Sequence, residues 1–137
     1  MSKAEPTVQK YMSFQPQSVE STETLKKAQE LMSKLKVRHL PVTRGGKLVG
    51  EVSDRDIKLV GGFEEIDLAE VVVADICITK PFTVGPDTPL HEAAAEMAEK
   101  RYGSAIVVQN GKLVGIFTTT DACRALAEIL QTRYHNH

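Results

Sequence analysis

Gly46-Lys47-Leu48-Val49-Gly50 recurs, letter for letter, as Gly111-Lys112-Leu113-Val114-Gly115, 65 residues further on. The same offset joins Val8, Pro16, Val19, Leu25, Ala28, Met32, Val42 and Asp56 to Val73, Pro81, Val84, Leu90, Ala93, Met97, Val107 and Asp121. No gap is needed from residue 8 to residue 60, and the identities are several times what chance gives. One supersecondary unit is written twice. Two copies of one unit are expected to pack about a pseudo-twofold axis, so that any site comes in pairs.

Each copy starts with a short apolar stretch, Val8 to Met12 or Val71 to Ile78, and then a loop holding Pro16 or Pro81. A short strand follows near Val19 or Val84. Leu25, Ala28, Leu31, Met32 and Leu35 then recur at helical steps, as do Leu90, Ala93, Ala94 and Met97. Thr88 before Pro89 reads as a capping hydroxyl ahead of a first-turn proline. A hairpin comes next, turning at Arg44-Gly45-Gly46 in one copy and at Asn110-Gly111 in the other. Asn-Gly is a strong hairpin signal because both residues tolerate positive φ. A second helix begins near Asp54 or Thr119. It stops by Gly61-Gly62 in the first copy and near Gln131 in the second. The expected fold is α/β of the α+β kind: two β-α-β-β-α units with a three-stranded sheet each. Residues 7–62 form unit 1, 63–70 a linker and 71–131 unit 2, with frayed tails at 1–6 and 132–137.

The ends of the second hairpin strands carry the chemistry. Gly50-Glu51-Val52-Ser53-Asp54-Arg55-Asp56 and Gly115-Ile116-Phe117-Thr118-Thr119-Thr120-Asp121 share a glycine, a hydroxyl three residues on, and an aspartate three further. A strand stops and a helix starts there, so backbone N–H groups and the positive helix end point outward together. A phosphate docks at such an end. The aspartate accepts two hydrogen bonds, and a ribose diol offers two donors. The alternative is that Ser53 and Thr118 are only helix caps, with Asp56 and Asp121 as first-turn carboxylates; repetition of the pattern favours the ligand reading.

These ends, with Arg38-His39-Leu40-Pro41-Val42 and Tyr102-Gly103-Ser104-Ala105-Ile106-Val107-Val108, resemble a tandem pair of cystathionine β-synthase (CBS) domains, a Bateman module. The resemblance covers residues 7 to 131. It implies a regulatory module that binds adenosyl compounds in clefts between the two units: AMP, ADP or ATP, with S-adenosylmethionine or NAD as further options and no required cofactor. It implies that each aspartate holds ribose and each hydroxyl reaches the phosphate side. Asp56 and Ser53 would work with the lead-in Ile78-Thr79-Lys80-Pro81-Phe82, through Thr79 and Pro81. Asp121 and Thr118 would work with Ser13-Phe14-Gln15-Pro16, through Phe14 and Pro16, and with Ile116. Basic residues before the first hairpin contact phosphates in relatives, which nominates Arg38 and His39, with Arg55 as a further candidate. A solvated Arg38 and a half-buried His39 are the plain alternative. Copy 2 has Gly103-Ser104 there, and Glu51 stands where copy 2 has Ile116, so the two sites are not equivalent.

A net charge of −1 gives no reason to expect nucleic acid or an anionic membrane as partner. No apolar run reaches the ~20 residues of a membrane span, and Met1 to Pro6 lacks a signal-peptide core, so a cytoplasmic protein is expected. Cys77 and Cys123 read as buried reduced thiols, with a disulfide as the alternative. No nucleophile with a positioned base and no phosphate loop is present, so the chain does not read as an enzyme. The tail His135-Asn136-His137 is a weak metal candidate, and no metal site is expected. Ala93, Ala94, Met97, Ala122, Leu126 and Ile129 exceed what two thin sheets cover, which points to a homodimer; a regulated partner protein is implied but not identified. The rival to nucleotide binding is a structural dimerisation module with degenerate sites.

Overall fold

The computed structural model describes residues 4–135. They form two compact units, one of residues 16–81 and one of residues 4–15 with 82–135.

In the 16–81 unit, β2 (Val19–Glu20) leads to α2 (Leu25–Leu35). Thr24 caps α2, its hydroxyl accepting from the Lys27 N–H at 3.1 Å. Leu25, Ala28 and Met32 form the buried stripe. The helix ends on Lys36, which takes left-handed φ of 57°. β3 (His39–Arg44) and β4 (Lys47–Ser53) make the hairpin, turning through Gly45 and Gly46 at φ of 58° and 85°. A side chain is strained at positive φ, and glycine is not. α3 (Asp54–Gly61) follows. The sheet order is β2-β3-β4, with β2 parallel to β3. The core is Val19, Leu25, Ala28, Met32, Leu40, Val42, Val52, Ile57 and Val73.

The other unit repeats this plan with an addition. It contains α1 (Val8–Tyr11), β1 (Ser13–Phe14), β5 (Thr83–Val84), α4 (Leu90–Lys100), β6 (Ser104–Gln109), β7 (Lys112–Thr118) and α5 (Thr119–Tyr134). Asn110 and Gly111 turn the hairpin at φ of 53° and 76°. The sheet has four strands rather than the expected three, in the order β1-β7-β6-β5, because β1 joins β7 antiparallel. In the 16–81 unit the corresponding pairing is a single bridge, Ile78 to Glu51.

The sequence repeat and the compact units are out of phase. Val8 and Tyr11 are buried among Leu90, Ala93 and Phe117 of the later copy. Val73, the repeat partner of Val8, is buried in the core of the earlier copy. Each lead-in segment therefore completes the core of the copy it does not open.

Three local expectations are corrected. Thr88 does not cap α4: Pro89 takes the cap position, and the Thr88 hydroxyl accepts from the Gly85 N–H at 3.0 Å. The N-terminal segment supplies the missing acceptors. The Pro6 carbonyl takes the Leu90 N–H at 3.0 Å and the Glu5 carboxylate takes the His91 N–H at 2.9 Å. Those bonds to His91 hold the Glu5 carboxyl below its ordinary range, the backbone N–H contributing most. Glu5 and Pro6 thus belong to the packed structure, and α5 runs past Gln131 to Tyr134. The cysteines are free thiols, but Cys77 is only half-buried and Cys123 is exposed. Burial pushes the Cys77 thiol up.

Candidate functional site

In the 16–81 unit, β4 ends at Ser53 and α3 starts at once. Ser53 has extended backbone, and its hydroxyl accepts from the Asp56 N–H at 3.2 Å. The Asp54 N–H donates to the Arg38 carbonyl at 2.8 Å, which fixes the backbone of Arg38 beside the helix start. The Arg38 and Arg55 side chains are exposed. Asp56 is half-buried, and its carboxylate makes no hydrogen bond or ion pair among the described residues. Asp54 turns aside to Lys58, 3.0 Å away.

His39 pairs with Ser53 across the hairpin, and Glu51 pairs with Pro41, so His39, Ser53 and Glu51 share one face. Val52 lies on the opposite, core-facing side. Glu51 is 8% exposed, and its Oε2 is 3.8 Å from the His39 Nδ1. Both backbone groups of Glu51 bond to Ile78: its N–H donates at 3.0 Å and its carbonyl accepts at 2.8 Å. That bridge sets the lead-in against the β4 edge. Beyond it, Thr79 is exposed and Pro81 half-buried.

The matching junction in the other unit is wired differently. Thr118 caps α5, accepting from the Asp121 N–H at 3.3 Å. Asp121 answers with one oxygen, taking the Thr118 N–H at 2.9 Å and its hydroxyl at 3.1 Å. The other Asp121 oxygen lies 3.1 Å from Arg124. This reciprocal capping box leaves Asp121 3% exposed. The Thr119 N–H donates to the Gly103 carbonyl at 3.1 Å, as Asp54 does to Arg38. Ile116 is 7% exposed and faces Ser13 across the β1–β7 pair, while Phe14 is largely exposed. Pro16, expected with this group, is half-buried and opens the 16–81 unit.

Ser53, Asp56, Arg38, His39, Arg55, Thr79 and Pro81 lie in the 16–81 unit, and Thr118, Asp121, Ile116 and Phe14 in the other. Nothing in the sequence signalled that Glu51 pairs with His39, although Glu51 was already the odd residue in the repeat. Arg124 was also missed, although its i,i+3 spacing from Asp121 is a readable ion-pair signal. The apolar surplus is corrected as well. Ala93 and Met97 are buried in the core of their own unit. Exposed apolar side chains remain on α5, at Leu126, Ile129 and Leu130, and separately at Leu59, Phe63 and Ile66. No helix is long and apolar enough to cross a membrane, and no metal-binding cluster occurs, among the described residues. Of the tail His135-Asn136-His137, the last two lie outside the described residues.

A family profile described as CBS domain matches twice, at residues 8–60 and 73–128. The chain belongs to the CBS-domain family. As a tandem CBS pair, it is similar to CBSX2 from Arabidopsis thaliana, whose crystal structure is in complex with AMP. The TM-score is 0.79 at 32% identity, covering 90% of this chain and 98% of that one. The CBS domain-containing protein YhcV of Bacillus subtilis is 29% identical over 115 residues, which is 84% of this chain and 81% of YhcV. An inosine-5'-monophosphate dehydrogenase of Korarchaeum cryptofilum is 32% identical over 105 residues, 76% of this chain and 21% of the enzyme. The chain spans 21–25% of the length of the first curated relatives it matches.

Proposed function

We propose that this CBS pair is a non-catalytic, cytoplasmic regulatory module that takes an adenine nucleotide at the β4–α3 junction. The observation that carries the reading is the Asp56 carboxylate, open to two donors beside a capped helix start, with the Arg38 backbone held at that start and Arg55 next to Asp56 in the chain. A ribose diol supplies the two donors. A phosphate meets the helix start and guanidinium groups that grip it with paired hydrogen bonds. The AMP complex of CBSX2 supports the ligand class. AMP, ADP and ATP share the same handle, and so do S-adenosylmethionine and NAD. Occupancy would then report energy or metabolite state to a regulated protein.

Calorimetry tests this directly. AMP, ADP or ATP should bind, in preference to guanine nucleotides. Arg38→Ala should weaken nucleotide binding about tenfold or more, since a hydrogen bond to a charged group contributes ~1.5–3 kcal/mol. Adenosine should be spared. Silence with every adenosyl ligand at ~1 mM, a limit near −4 kcal/mol of binding, would reject the reading. Equal loss for adenosine and AMP would reject the role of Arg38.

A second reading, a dimerisation module whose sites are degenerate, has one observation in its favour. The Asp121 carboxylate is already satisfied by Thr118 and Arg124. Self-association belongs to both readings. We infer a homodimer that covers Leu126, Ile129 and Leu130, because an exposed apolar stripe on one helix favours burial. Sedimentation at ~50 μM should give mostly dimer if the affinity is micromolar; a monomer alone would count against it.

A further inference from the structure

The repeat that makes α2 and α4 equivalent reverses their charge. Where α2 has Lys27 and Lys34, α4 has Glu92 and Glu99 at the matching positions. Three lysines and Glu30 give α2 a formal +2, while three glutamates and Lys100 give α4 −2, with His91 neutral. Residues seven apart share one face of a helix. On that face Leu31 stands between the two lysines, and Glu96 between the two glutamates. Lys27, Lys34, Glu92 and Glu99 are exposed. Neither they nor Glu96 make an ion pair among the described residues.

The acidic face borders an open groove of about 510 Å³, lined by Phe82, Val84 and Ala95 together with Glu92, Glu96 and Glu99. Glutamates three and four apart on one helix repel each other. An apolar lining with an unneutralised acidic edge suits a helix that brings apolar atoms and cations on one face. A lysine lays its aliphatic stem on apolar surface and keeps its ammonium at the edge. The exposed face of α2 has that composition, with the half-buried Leu31 between Lys27 and Lys34. Two α4 helices would set glutamate against glutamate, and two α2 helices lysine against lysine. Facing potentials of opposite sign arise when α2 meets α4.

We propose that α2 of one copy docks on the α4 groove of a second copy, so that the homodimer is head-to-tail. The 16–81 unit of one protomer then meets the α4-bearing unit of its partner, and a twofold axis makes the contact twice. The same arrangement sets the unit exposing Leu59, Phe63 and Ile66 against the unit exposing Leu126, Ile129 and Leu130. The proposal rests on the homodimer inferred above and is independent of nucleotide binding.

The test is sedimentation of four full-length chains: the native one, Lys27→Glu with Lys34→Glu, Glu92→Lys with Glu99→Lys, and all four changes together. Each double change sets like charges face to face and should weaken dimerisation about tenfold or more. The fourfold chain only exchanges the two faces, so it should return to within about threefold of native, the non-additivity expected of coupled sites. In a head-to-head dimer each double change replaces one like pair by another, and affinity should not move. Raising salt from ~0.05 to ~0.5 M should weaken the native dimer and strengthen the two double variants, because salt screens exposed charges. Melting curves establish that each variant is folded. If the native chain dimerises but folded double variants match it, or a folded fourfold chain stays weak, α2 does not sit on α4, although the homodimer stands. If a variant does not fold, the native salt response decides, and a salt-insensitive dimer overturns the pairing. If the native chain is monomeric, both fall.

Discussion

Replacing Gly50 by alanine is expected to destabilise the 16–81 unit by about 2–6 kcal/mol, from ~1–3 for overpacking and ~0.5–1.5 for each of two weakened hydrogen bonds. An added Cβ at Gly50 falls onto the carbonyl oxygen of Ile78 and lies 3.1 Å from the Cys77 sulfur. That carbonyl is backbone, and it accepts the Glu51 N–H. It cannot withdraw without opening both bonds of the Glu51–Ile78 bridge. Gly115 is the control, because the same letter in the repeat meets a different neighbour. Its added Cβ meets chiefly the Met12 side chain, with the Ser13 carbonyl oxygen 3.0 Å away. Methionine is unbranched and repacks, so Gly115→Ala should cost about 1 kcal/mol, within the handful of tenths to ~1.5 seen for tolerated core changes. Urea unfolding decides it. With a slope of ~1–3 kcal/mol/M, the Gly50 variant should lose about 1 M or more of midpoint. A Gly50 loss no larger than the Gly115 loss would show that the bridge is slack. The bridge also holds the Ile78–Pro81 lead-in against Glu51, so the Gly50 variant should lose ligand binding along with stability.

The same pair of glycines shows how far the residues could be read in advance. The hairpins were legible because Gly45-Gly46 and Asn110-Gly111 are turns whose backbone needs are local. The helical stripe of Leu25, Ala28 and Met32 was legible because its period is local too. The exchange of lead-in segments was not. Val8 and Val73 look like openings of their own copies, and nothing within either copy says which core they fill. Thr88 misled for a related reason: the acceptors at the start of α4 come from Glu5 and Pro6, 80 and more positions away in the chain. Ala93 and Met97 looked like surplus apolar surface until α1 and the sheet covered them. Local pattern gave the elements, and long-range packing decided their use.

The candidate sites illustrate the limit most sharply, and they lead to the largest expected effect on binding. Asp56 and Asp121 are the same letter in the same register, yet their carboxylates have different work. Asp121 is tied to Thr118 and Arg124 and is almost wholly buried. Asp56 is half-buried and unpartnered among the described residues. The two alanine variants should therefore separate stability from binding. Asp121→Ala removes the reciprocal half of a capping box, a loss of about 1–2 kcal/mol; the Arg124 pair adds little because the arginine is mostly exposed. Asp56→Ala removes only a first-turn carboxylate, which contributes roughly 0.3–1 kcal/mol through the helix dipole. On ligand the order reverses. Two charge-assisted hydrogen bonds to a ribose contribute ~1.5–3 kcal/mol each, so Asp56→Ala should weaken AMP and adenosine alike by about a hundredfold or more at ~1.4 kcal/mol per decade. Asp121→Ala should change binding less, because a ribose entering there must first displace Thr118 from the carboxylate. Thermal melts paired with calorimetry on both variants give the answer. If Asp56→Ala leaves binding intact, or if Asp121→Ala proves the more damaging of the two to ligand, then an open carboxylate is not what makes the site.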